Sequence, residues 1–199
     1  MKRLILVRHG ETEWNASRRL QGQTDIALSD VGRAQARALA PMVAALSPDH
    51  AVTSDLARAA ETARLLGHAS ARDEPRLREQ DLGDWSDQSI ADLSARDPDA
   101  YLRWRAGRQT PPGGEDWGRF SARVVAGIED AMRLCDQTVL AVCHGGAIRA
   151  ALASLIDLRP DRLIPVGPAS LTILAADKGG WRLEAFNVGG ATVVLTAPD

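Results

Sequence analysis

Cysteine is scarce: the 199 residues hold only Cys135 and Cys143, and these form no CxxC pair. A disulfide framework is therefore not expected, and the chain suits a reducing compartment, the cytoplasm. Lysine is scarce too, since of 24 Lys and Arg residues only Lys2 and Lys178 are lysine, which leaves 22 arginines. Long apolar runs are missing. After Met1-Lys2-Arg3 the run Leu4-Ile5-Leu6-Val7 stops at Arg8, too short for a secretory signal and far from the roughly 20 residues of a membrane span. A basic excess is missing as well: the formal net charge of −2 argues against a dedicated nucleic-acid binder. His9, His50, His68 and His144 show no HExxH spacing, so no metal site is expected. The chain has neither a GxxxxGK[ST] phosphate loop nor a GxSxG nucleophile elbow, which removes two further chemistries.

What is present is an ordinary globular composition, 45% apolar and 25% charged, in a length that suits one domain over residues 1–199. No repeat, low-complexity tract or linker interrupts it. Leu4 to Val7 and Val139 to Cys143 are short apolar runs, the pattern of buried parallel strands. Ser29 to Leu46 predicts a helix capped by Ser29, with Val31, Ala38, Leu39, Met42, Val43 and Leu46 on its inner face and a kink at Pro41. Ala51 to Thr53 predicts a strand, then a helix to about Leu66 capped by Ser54 or Asp55. Trp117, Phe120, Val124, Ile128, Ala131 and Cys135 recur every three or four residues, the clearest helix. A helix from about Ala147 to Ile156 follows, then strands at Leu171 to Ala175 and Trp181 to Phe186. Thr192 to Leu195 offers an edge that could pair in a homodimer. The alternation implies an α/β fold, a mostly parallel sheet covered on both faces. Ligands bind such sheets at the carboxyl ends of strands, which places Arg8-His9-Gly10 and His144-Gly145-Gly146 on one rim.

Four segments carry chemistry. His9, at a strand end, is a nucleophile, a general base or a metal ligand; Arg8 beside it would favour the neutral imidazole. His144-Gly145-Gly146 opens a helix, where backbone N–H groups attract anions. Arg58 falls in the first turn of a helix, a cost to the helix dipole that an anionic ligand would offset. In Arg78-Glu79-Gln80-Asp81-Leu82-Gly83-Asp84-Trp85, a carboxyl beside an aromatic suits a general acid, and Glu79, Asp81 and Asp84 all qualify.

At these residues the chain resembles the histidine phosphatase superfamily, the phosphoglycerate-mutase-like proteins. The matching residues are Leu6-Val7-Arg8-His9-Gly10-Glu11-Thr12, Trp14-Asn15, Leu20-Gln21-Gly22, Ser54, Arg58-Ala59, Thr62-Ala63, Glu79, Gly83, Trp85, Pro112-Gly113-Gly114-Glu115 and His144-Gly145-Gly146, with a compatible Asn187. The resemblance implies a three-layer α/β/α sandwich with a catalytic core over residues 4–150 and a variable, substrate-facing region near 86–119. It implies that His9 is the phosphorylated nucleophile and that Arg8, Arg58 and His144 cradle the phosphoryl group. Asn15, Gln21, Gly22 and Gly145 are implied as phosphate or substrate contacts, and Glu79 as the proton donor, with no cofactor and no metal. The chain departs from the family at Ser86-Asp87, where an acidic residue and Gly are usual; Asp87 tolerates positive φ better than most residues.

Mutases of this family carry an extra segment before the Pro-Gly-Gly-Glu stretch, and here only 25 residues, 86–110, separate Trp85 from Pro111. The expected activity is hydrolysis of a small phosphomonoester by a monomer or homodimer. An α-ribazole-5′-phosphate phosphatase (suggested by Trp104 ahead of Pro111), a phosphoglycerate mutase and a catalytically silent phosphate- or protein-binding module are the alternatives.

Overall fold

The computed structural model describes residues 2–189, so the Thr192–Leu195 edge lies outside the described residues. In chain order the elements are β1 (Lys2–Arg8), α1 (Glu13–Ala16), α2 (Asp30–Ala45), β2 (His50–Thr53), α3 (Ala57–Leu65), β3 (Arg72–Asp73), α4 (Ile90–Arg96), α5 (Ala100–Arg105), α6 (Trp117–Leu134), β4 (Thr138–Cys143), α7 (Gly145–Ile156), β5 (Ser170–Asp177) and β6 (Gly180–Gly189). The sheet order is β3-β2-β4-β1-β5-β6. The first four strands run parallel, and β5 and β6 are added antiparallel.

Side chains alternate across a strand, and that alternation sorts the core into two layers. Leu4, Leu6, Val139, Ala141 and Cys143 face Phe120, Val124, Ile128, Ile148 and Leu152 of α6 and α7. Ile5, Val7, Leu140 and Val142 face Leu39 and Val43 of α2 and Ala59 and Ala63 of α3. The result is the expected three-layer α/β/α sandwich. A third cluster, Leu20, Leu82, Trp85, Ile90, Leu93, Ala100 and Trp104, holds α4 and α5 over the rim. No helix among the described residues is long and apolar enough to cross a membrane.

The structure corrects several local expectations. Helix α2 is capped by Ser29 as expected, but it buries Gly32, Ala36, Leu39 and Val43, leaving Val31, Ala38 and Met42 exposed. The reason is Gly32: a Cβ there would lie 2.0 Å from the Glu11 carbonyl oxygen, so the smallest residue faces inward and Val31 turns to solvent. Pro41 sits within α2, which continues to Ala45. Pro41 and Arg37 are both exposed, and the Arg37 carbonyl loses the helical donor that proline does not have. Neither Ser54 nor Asp55 caps α3, whose N-cap residue is Leu56 and whose first N–H, that of Ala57, donates to Asp25 Oδ1 at 2.8 Å. Tertiary partners claim both: Ser54 meets His144, and Asp55 receives Arg78. Helix α7 starts at Gly145, two residues early.

Candidate active site

The register of β1 and β4 builds the rim. Arg8 aligns with Cys143, and the His9 N–H donates 3.0 Å to the Cys143 carbonyl. His9 and His144 therefore leave the sheet side by side, their ring centroids 5.1 Å apart. The turn after His9 is tight: the Gly10 N–H donates to Thr62 Oγ1 at 3.1 Å, and a Cβ on Gly10 would lie 2.4 Å from the Gly32 carbonyl oxygen. Two chain segments close here because neither carries a side chain.

His9 is buried, and its Nδ1 lies 2.7 Å from the Gly10 carbonyl oxygen. A carbonyl only accepts, so Nδ1 carries the proton and a neutral ring keeps its lone pair on Nε2. Burial, and then the charges of Arg58 and Arg8, hold this imidazole well below its usual value, against the opposing pull of the Gly10 carbonyl. The same burial and the same cations hold His144 well below 6.5.

The cavity beside His9 measures about 530 Å³ counting its open mouth and the solvent in it. Arg8, His9, Asn15, Gln21, Gly22, Arg58, Glu79 and Gly145 all line it, so eight of the nine residues expected at the site converge. His144 does not line the cavity; it stands fully buried behind it. Its Nε2 is 2.9 Å from Ser54 Oγ, and its Nδ1 is buried without a hydrogen-bond partner among the described residues.

Arg58 is 1% exposed. Its Nη1 and Nη2 donate to the Thr24 and Gly22 carbonyls at 2.7 and 2.8 Å. Gly22 has a φ of 51°, a conformation that favours glycine and turns its carbonyl to Arg58. Burial lowers the Arg58 guanidinium to about 10, still charged at neutral pH. Arg8 Nη1 donates to the Val166 carbonyl. Asn187, with φ 56°, braces that loop by accepting from the Gly167 N–H at 2.6 Å. Asn15 Oδ1 accepts from the Thr12 N–H, which leaves its NH2 end for a ligand. Gln21 Oε1 is buried without a hydrogen-bond partner among the described residues.

Glu79 is held by backbone donors, Gly146 N–H to Oε2 at 2.9 Å and Gln80 N–H to Oε1 at 2.8 Å. A Cβ on Gly146 would lie 2.1 Å from Oε1, so the second glycine of His144-Gly145-Gly146 makes room for this carboxylate. Neither Asp81 nor Asp84 lines the cavity; Asp81 accepts from the Gly83 N–H instead. Trp85 packs into the α4–α5 cluster. The aromatic in the cavity wall is Trp104, whose Nε1 donates 2.8 Å to Gln80 Oε1. Asp87 adopts φ 66°, as its small polar side chain allows, and pairs at 2.7 Å with Arg19, itself a lining residue. Arg149 and Val166 also line the cavity, and neither stands out among the sequence motifs. Arg149 had one visible signal, a single charge within the apolar stretch Ala147 to Ile156.

The chain is similar over most of its length to several known proteins. A glucosyl-3-phosphoglycerate phosphatase of Mycolicibacterium vanbaalenii is 38% identical, over 94% of this chain and 95% of its own. A probable phosphoglycerate mutase of Yersinia enterocolitica is 33% identical, over 100% and 97%. The solved structure of a mycobacterial glucosyl-3-phosphoglycerate phosphatase with VO3 superposes with a TM-score of 0.88 at 36% identity, covering 94% of this chain and all of that one. The model of branch 1 of the histidine phosphatase superfamily matches residues 4–189, and the chain belongs to that family.

Proposed function

We propose that this phosphoric monoester hydrolase works through a phosphohistidine on His9, with a small phosphorylated metabolite as substrate. One observation carries the reading: Nδ1 is tied to the Gly10 carbonyl, so the neutral ring offers Nε2 to the cavity between two arginines. Nε2 attacks phosphorus and the P–O ester bond breaks. Glu79 passes a proton to the leaving oxygen. Glu79, now a carboxylate, takes a proton from water, whose oxygen attacks phosphorus and breaks the P–N bond. Phosphate leaves and His9 is restored. Arg8, Arg58 and the Gly145 end of α7 meet the charge on the transferring oxygens, and His144, buried behind them, completes the cradle. Asn15, Gln21 and Gly22 hold the substrate. The Mycolicibacterium and Yersinia relatives are named for phosphoglycerate chemistry, which favours a phosphorylated glycerate. Residues 4–150 then form the catalytic core, and 86–119 face the leaving group. Two buried free thiols, Cys135 and Cys143, suit a cytoplasmic enzyme.

The test is turnover of p-nitrophenyl phosphate, 3-phosphoglycerate, glucosyl-3-phosphoglycerate and α-ribazole 5′-phosphate in EDTA, with base-quenched trapping of an acid-labile phosphoenzyme. Turnover and label should both vanish in His9→Ala. Turnover that survives in His9→Ala overturns the reading. Formation of 2-phosphoglycerate instead of free phosphate would make the enzyme a mutase.

A further inference from the structure

The phosphoryl chemistry above leaves Arg149 without a role. Its side chain belongs to α7, lines the cavity and is 4% exposed. Nη1 donates 3.2 Å to the Arg105 carbonyl, and Cζ sits 5.3 Å from the Trp104 ring centroid. Among the described residues no carboxylate pairs with it, although Arg3, Arg33, Arg76, Arg78 and Arg123 each have one. The bond to the Arg105 carbonyl is the one side-chain hydrogen bond of Arg149 among the described residues, which leaves the Nε–Nη2 edge that suits a carboxylate fork for a ligand. The Trp104 face below and the Arg105 carbonyl at the far corner fix its plane. Burial pushes the guanidinium down to about 10, with Arg105 adding to this and Glu79 opposing it, so a buried positive charge persists at neutral pH.

Arg149 follows Gly145 by four residues, on the same face of α7 and about 6 Å further along its axis. Gly145 abuts Arg8: a Cβ there would lie 3.7 Å from Arg8 Nε. A phosphoryl group at the start of α7 therefore has a second cation waiting one helical turn away. We propose that Arg149 determines specificity by receiving a carboxylate on the leaving-group side of the phosphomonoester. The preferred substrates are phosphorylated hydroxy acids whose carboxylate lies a few bonds from the ester oxygen. This rests on the reading of His9 as phosphoryl acceptor, which sets the phosphoryl end of the cavity.

The experiment compares 3-phosphoglycerate with glycerol 3-phosphate, which replaces the carboxylate by a hydroxymethyl group. The ratio of their kcat/KM values should favour 3-phosphoglycerate by about 100-fold in the wild type and fall close to 1 in R149Q, mainly through KM. R149K, which keeps the charge but not the fork, should restore part of the ratio. R149Q retains a donor for the Arg105 carbonyl, so a structural clamp alone would lower both substrates equally; that outcome, or an unchanged ratio, overturns the proposal. Calorimetric binding of the two compounds to His9→Ala separates the failures. A carboxylate preference that disappears in the double variant H9A/R149Q supports the Arg149 role without turnover, and its absence in H9A overturns it. Turnover by H9A overturns the histidine reading instead.

Discussion

The two halves of the cavity are built by different means. The phosphate half hangs on the ends of β1 and β4, where strand register puts His9 next to Cys143 and His144. Its glycines leave no slack: Gly10, Gly32 and Gly146 would each put a Cβ within 2.4 Å of a neighbouring oxygen. The half proposed to meet the leaving group hangs on the short helices α4 and α5 and the turn at Gly83–Trp85, joined to the sheet half by side chains such as Trp104, which donates to Gln80. Backbone placement makes the first half rigid and general. On the proposed function, side-chain placement lets the second half change without moving the first.

Breaking the phosphate half should have the largest effect. Arg58→Met removes a buried charge and the donors to Gly22 and Thr24, and steady-state kcat on any substrate should fall about 1,000-fold. Glu79→Gln should cost about 100- to 1,000-fold on an alkyl phosphate but much less on p-nitrophenyl phosphate. A nitrophenol leaves without proton donation, so the ratio of the two losses isolates acid catalysis.

Acid should also strike this half. Both imidazoles are held well below 6.5 in the folded state, so below that pH the unfolded chain takes up protons that the native one does not. Stability is complete above about pH 6.5 and falls below it by up to about 1.4 kcal/mol per pH unit for each histidine. Urea titrations from pH 7.5 to 5 should show the loss, and His144→Gln should reduce its slope, with His9 and the partly buried His68 supplying the remainder. The smallest effect belongs to the other half: Trp104→Phe keeps the apolar contacts but strands Gln80 Oε1, for about 1–2 kcal/mol. The same substitution should raise KM for 3-phosphoglycerate more than for p-nitrophenyl phosphate.

The sequence pattern revealed the halves unequally, for the same reason. Leu4 to Val7 and Val139 to Cys143 are apolar on both faces because both faces are covered, so strands, layers and rim follow from local pattern. His9, Arg58 and Glu79 stand in short motifs because backbone geometry demands neighbouring residues such as Gly10. The inner face of α2 was misread because its register depends on Gly32 meeting Glu11, a contact between segments. The cap of α3 was misread because His144 and Arg78 compete for Ser54 and Asp55. Arg149 carried only the signal of a lone charge in an apolar helix, and its meaning depends on Trp104 arriving from 45 residues away.

Cys143 ends β4 in the middle of the sheet, fully buried, and its thiol is pushed up to about 12, chiefly by burial. Thiolates react and thiols do not, so a labelling reagent waits until β4 leaves the sheet. The rate of Cys143 alkylation is therefore a clock for opening of the central strands. An anion that docks on the adjacent His9 should slow that clock in proportion to its occupancy, so binding is readable by mass spectrometry even for compounds the enzyme does not turn over.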